Sequence, residues 1–161
     1  MQTSRAYRIA PISPVFLQRA RQTERDDQGQ VIERAIAIGG EPCRDTLRRA
    51  VAGEELILAS YSPFALVGPY KEFGPVFISA NQNELPIDAL NLSDLVTQQY
   101  LGAQFVLRAY SAQERIVDAR LTSPDQCESD LQALLSLDEV QFVLVRFAAY
   151  GCYACRIERR Y

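Results

Sequence analysis

The chain has 161 residues, is 48% hydrophobic, carries a formal net charge of −3 and contains no histidine. It is long enough to bury a core of its own, and a single domain is expected. The lack of histidine excludes Ser-His-Asp and Cys-His catalytic pairs, His-ligated metals and an imidazole pH switch, leaving Asp, Glu, Tyr, Cys and Lys71 for any acid–base work.

No run approaches the roughly 20 apolar residues of a membrane span, and residues 1–11 lack the apolar stretch of a signal peptide. A cytoplasmic location without a membrane partner is therefore expected, with the four cysteines reduced. Sixteen of the seventeen basic residues are arginine. Residues 1–25 carry five arginines against Glu24, residues 146–161 carry four against Glu158, and residues 83–139 hold ten acids against three arginines. Basic ends around an acidic middle argue for surface pairing and against a nucleic-acid partner.

In chain order, Tyr7, Ile9 and Ile12 predict a short strand. Ser13-Pro14 then reads as an N-cap with proline in the first turn of a helix through Phe16, Leu17 and Ala20. The polar run 22–30 is a loop. Val31 to Ile38 alternates as a partly exposed strand and ends at Gly39-Gly40. Cys43, Leu47, Ala50 and Val51 fall on one face of a helix over Pro42 to Gly53.

The apolar run Leu56-Ile57-Leu58-Ala59 predicts a central strand covered on both faces. The Pro- and Gly-rich stretch 61–74 reads as a rigid loop, and residues 75–80 as another strand. Residues 81–100 are polar, with Ser93 a candidate cap for a short turn through Leu95 and Val96. Residues 104–110 and 115–121 alternate around a short turn, an antiparallel hairpin. Ser123-Pro124-Asp125-Gln126 has the form of a capping box before a helix striped by Cys127, Leu131, Leu134 and Leu135. Asp138-Glu139 turns the chain into a final apolar strand that runs to Gly151. The expected fold is α+β: a mostly antiparallel mixed β-sheet with two or three packed helices.

The chemistry-bearing groups admit several readings. Cys43, Cys152 and Cys155, with Cys127, could hold zinc, but only one C-x-x-C pair exists. In a continuous strand Cys152 and Cys155 would face opposite sides, so chelation needs a bulge or turn after Gly151. No cofactor is expected, with zinc the alternative. A thioredoxin-like site lacks the helix that should follow Cys155. Lys71 beside Glu72 reads as a solvated loop lysine. Arg44, Arg108, Tyr110, Tyr150 and Arg156 flank predicted element ends and could converge on an anionic small molecule or an acidic peptide. Structural pairing with Asp45, Asp118 or Glu158 is the competing reading.

The chain resembles a bacterial family known as domain of unknown function 1203. The resemblance begins at about Glu41, after an N-terminal strand, helix and strand in residues 1–40. It is carried by Pro42-Cys43-Arg44, by Gly53-Glu54 running into Leu56-Ile57-Leu58, by Pro69-Tyr70 and Gly74-Pro75-x-Phe77, by Arg108-Ala109-Tyr110, and by Gly151-Cys152-Tyr153-Ala154 with Arg156. It implies a domain type without naming a reaction. It also implies that Cys43 and Cys152 are characteristic positions and that Cys155 is often not cysteine, and it suggests that the helix start at Cys43 lies against the turn at Cys152. The site expected is a binding site for an anion built from Arg44, Tyr70, Arg108, Tyr110 and Arg156. The alternative is a cysteine-thiolate enzyme or thiol redox protein centred on Cys152, with Cys43 nearby, Arg156 stabilising the thiolate and Glu72 or Tyr110 handling protons.

Overall fold

The structure is a computed structural model that describes residues 6–82 and 86–161. Among these residues, ten strands form two five-stranded sheets, accompanied by three α-helices. The α+β class and the mostly antiparallel pairing follow the expectation, with the strands divided between two sheets.

The first sheet has the order β1 (Tyr7–Ala10), β10 (Tyr153–Arg159), β9 (Phe142–Phe147), β7 (Phe105–Tyr110), β8 (Ile116–Thr122), all antiparallel. Its one face, through Phe105, Leu107, Val143, Val145 and Ile157, is covered by α2 (Leu92–Thr97) and α3 (Cys127–Leu135). Burial of such side chains stabilises by about 1.5–3 kcal/mol each, which is why the apolar alternation of these strands holds. Tyr7 ties both helices to the sheet edge: its hydroxyl donates to Glu128 at 2.9 Å and accepts from the amide of Leu92 at 3.0 Å.

The other face, through Tyr110, Phe142, Leu144 and Tyr153, packs on the second sheet and on α1 (Pro14–Gln18). That sheet has the order β2 (Glu33–Ile36), β5 (Glu55–Tyr61), β6 (Gly74–Ser79), β3 (Pro42–Cys43), β4 (Arg48–Arg49), antiparallel except for the parallel bridge of Cys43 with Phe77. β5 is central and covered on both faces, Ile57 turned to the intersheet core and Leu56 to a small outer cluster with Ala37, Cys43 and Ala50. β2 is an edge strand whose four residues are all exposed.

Four local expectations are corrected. The helix over Pro42 to Gly53 does not form: β3, a turn at 44–47 and β4 take its place. Its apparent stripe is split between cores, since Cys43 and Ala50 join the outer cluster while Leu47, at φ +52°, reaches the helix-side core. Asp45 fixes the turn by accepting from the Ser79 amide at 3.1 Å and from Arg21 at 2.7 Å, and these tertiary bonds outweigh a weak helical preference. Helix α2 is capped by Asn91, not Ser93, in a reciprocal capping box with Asp94. Residues 83–85 of that polar stretch lie outside the described residues.

Helix α3 starts without a side-chain cap bond. Instead the Ser123 carbonyl accepts from Gln126 and Cys127. Finally, the terminal apolar run is not one strand to Gly151. β9 stops at Phe147, Gly151 turns the chain at φ +72°, and β10 returns alongside it. A non-glycine residue would be strained in that left-handed conformation.

Candidate functional site

The turn between β9 and β10 and the segment at β3 meet, and a cleft of about 410 Å³ opens between them. Arg44, Arg49, Pro42 and Glu41 line it from one side, Phe147, Tyr150 and Cys152 from the other, and Leu58, Pro75 and Phe77 from the outer face of the second sheet. Glu41 is committed to the amides of Ile38 and Gly39, at 2.9 and 2.7 Å.

Arg44 is the unusual group. Its residue is only 3% exposed. Nε donates to the Tyr153 carbonyl at 2.8 Å and Nη1 to that of Pro42 at 2.7 Å, and the guanidinium carbon lies 5.3 Å from the centre of the Phe147 ring. Among the described residues no carboxylate lies within ion-pair distance of it. Burial pushes its pKa below the ordinary guanidinium value, with Tyr100, Cys152 and Cys43 opposing the shift. A cation removed from water without an opposite charge is costly, and carbonyls and a ring face repay only part of that.

Arg49, which the sequence reading passed over, lies 5.3 Å from the same ring and donates to the carbonyls of Gly40 at 2.8 Å and Tyr100 at 3.0 Å. Nothing in the local pattern around Arg48-Arg49 marks one arginine as inward.

The other expected site residues go elsewhere. Arg156 lines a second cleft, of about 520 Å³, with Lys71, Phe73, Arg19, Asp27 and Tyr61. There the arginines are matched to acids: Arg19 pairs with Asp27, while Glu158 takes Arg156 and Arg8, each at 2.7 Å, and Lys71 lies 5.8 Å from the centre of the Phe73 ring. Burial alone would raise the Glu158 pKa, but the hydrogen bonds from Arg8 and Arg156 hold its carboxyl below the usual value.

Tyr110 is fully buried, its ring stacked on Phe142 at 5.2 Å and its hydroxyl without a partner among the described residues. The Arg156 guanidinium covers the Phe142 ring at 3.8 Å. Tyr70 sits on the 62–73 loop under Arg115, 5.9 Å from its ring. Arg108 pairs with Glu72 at 3.4 Å. The same Glu72 oxygen is held by the buried Arg146, whose Nη1 also donates to the Gly151 carbonyl at 3.1 Å. Arg146 was legible in principle, as the one charge inside the otherwise apolar strand Phe142–Phe147. Neither Glu72 nor Tyr110 lines the Arg44 cleft, so the proton-handling set imagined around Cys152 is not assembled there.

The four thiols are free and lie in different surroundings. Cys43 is sealed in the outer cluster, where burial first, and the charges of Asp45 and Glu54 next, push its pKa up to about 12. Cys155 lies in the helix-side core, its pKa raised by burial. It reaches that face through a bulge at Ala154, the irregularity that chelation demanded. Cys127 is also buried, its pKa raised by burial and by Glu128. Cys152 alone is half-exposed, its thiol 3.7 Å from the Tyr150 carbonyl. Among the described residues no group of three or more Cys, Asp or Glu side chains is placed to hold a metal ion, so Cys43, Cys152 and Cys155 do not form the zinc set considered above. The expected proximity of the Cys43 segment and the Cys152 turn is carried by Pro42 and Arg44, with the Cys43 thiol itself turned away into the outer cluster.

These features describe a two-sheet α+β domain with a largely apolar cleft around one buried, acid-free arginine. A family model described as Protein of unknown function (DUF1203) matches residues 40–159, and the chain belongs to that family. No curated protein and no solved structure matches the chain. Among the described residues no helix is long and apolar enough to cross a membrane.

Proposed function

We propose that the protein is a binding module for a small anion with an apolar body, held in the Arg44 cleft. The observation that carries this reading is the nearly complete burial of Arg44 without an acidic partner among the described residues. A carboxylate entering the cleft would supply the missing opposite charge, and an apolar body would cover Leu58, Pro75, Phe77 and Phe147. The volume of about 410 Å³ suits a small molecule better than an acidic peptide, which would need several cations in a row. A cysteine-thiolate enzyme draws less support because Glu72 and Tyr110 are engaged outside the cleft. The reading places the protein in a bacterial cytoplasm, where its thiols stay reduced.

Calorimetric titration with phenylacetate and with phenylacetamide, which differ in charge and little in shape, tests it. Phenylacetate is expected to bind once per chain, and the amide at least about tenfold more weakly, the factor that one charge-assisted hydrogen bond supplies. Equal affinities for acid and amide, or no binding of either, would overturn it.

A further inference from the structure

Cys152 and Arg44 share the cleft, and each has unused capacity there. The Arg44 guanidinium spends Nε and Nη1 on carbonyls, and its Nη2 has no acceptor among the described residues. The Cys152 side chain rests partly against the helix-side core, and among the described residues the hydrogen-bond partner of its sulfur is the Tyr150 carbonyl, at a long 3.7 Å. Tyr150, 89% exposed, leaves that wall of the cleft open to solvent. A half-exposed sulfur and a guanidinium with a free donor in one cleft match a ligand that carries a carboxylate on one side and a disulfide on the other. The remaining thiols are all buried, so the selectivity is built in by packing.

We propose that Cys152 is a thiolation site for small carboxylate-bearing disulfides, an inference that rests on the anion-binding reading of the same cleft. In the step, Cys152 gives its proton to solvent and the thiolate attacks one sulfur of the disulfide. A new S–S bond forms between Cys152 and that half, and the original S–S bond breaks. The other half leaves as a thiolate and takes up a proton. The disulfide is the oxidant: Cys152 is oxidised as the departing half is reduced to a thiol. A second small thiol reverses the reaction by the same exchange. The attached half fills the cleft with its carboxylate on Arg44, so thiolation and non-covalent anion binding exclude one another.

The test incubates the whole chain with 3,3′-dithiodipropionate or with the neutral bis(2-hydroxyethyl) disulfide. Adducts are followed by intact mass and located by peptide mapping, and each rate is divided by that disulfide's rate with a model peptide thiol. The expected result is a single adduct on Cys152, with a normalised rate about tenfold or more higher for the dicarboxylate and slowed by saturating phenylacetate. Equal normalised rates, an adduct on another cysteine, or no adduct would overturn the proposal. If phenylacetate still binds in that case, the binding reading stands and only thiolation fails. If phenylacetate does not bind and the rates are equal, both fail.

Discussion

The two clefts hold their arginines in opposite ways. Around Arg156 each arginine has an acid at hand: Arg19 has Asp27, and Arg156 and the exposed Arg8 divide the two oxygens of Glu158. Around Arg44, among the described residues, the guanidinium meets carbonyls, a ring and a thiol-bearing turn, and no acid. Both sites contain arginine beside aromatic rings, and residue type alone would rank them alike. Charge matching separates them: the first ties together β10, α1 and the 62–73 loop, and the second leaves a buried guanidinium without an acid among the described residues, the feature on which the proposed binding reading rests.

The largest effect that can break this comparison is in thiol reactivity. In the folded protein one cysteine is expected to react promptly with a thiol reagent and three to react at least about a thousandfold more slowly, because each buried thiol needs an opening event costing on the order of 5 kcal/mol. Denaturant should release all four, and Cys152→Ser should remove the fast phase alone. Two or more fast thiols would mean that the cluster holding the second one, the outer cluster for Cys43 or the helix-side core for Cys127 and Cys155, is not closed.

Next in size is the cost of removing each arginine. Arg44→Met strips the partners from the Tyr153 and Pro42 carbonyls in a buried setting, a loss that relief of the buried charge partly offsets, and should destabilise by about 1–3 kcal/mol in urea unfolding. Arg156→Ala removes a half-exposed pair and a ring contact, so about 1 kcal/mol is expected. Equal losses would erase the distinction between the two clefts.

The smallest effect is in the pH dependence of the paired cleft. The Glu158 carboxyl lies below its usual pKa in the folded chain. The stability it contributes is therefore present above the unfolded value of about 4.3 and is lost as pH falls through the lower folded value. Urea midpoints measured from about pH 6 to about pH 3 should fall more for the wild type than for Glu158→Gln. Parallel curves would show that Arg8 and Arg156 do not hold this carboxylate.

Much of the molecule is written in local pattern. The alternation of 104–110 and 115–121, the run Leu56 to Ala59, the Ser13-Pro14 start and the Cys127, Leu131, Leu134 stripe each dictate their element and buried face, because apolar burial at period 2 or 3.6 is a property of neighbours in sequence. The family resemblance was likewise carried by short pieces in order, and the match over residues 40–159 agrees with it. Tertiary structure decided the rest. The Cys43, Leu47, Ala50 spacing is a valid helical stripe, yet a parallel bridge to Phe77 and the Asp45 bonds to Ser79 and Arg21 draw those residues into β3, a turn and β4. The same folding-over brings Arg44 within reach of the Tyr153 carbonyl, 109 positions away, while sending Arg156 to the other cleft. Sequence named the arginines and thiols that could do chemistry. Which arginine would be buried without an acid, and which thiol would lie beside it, depended on long-range contacts that no local spacing encodes.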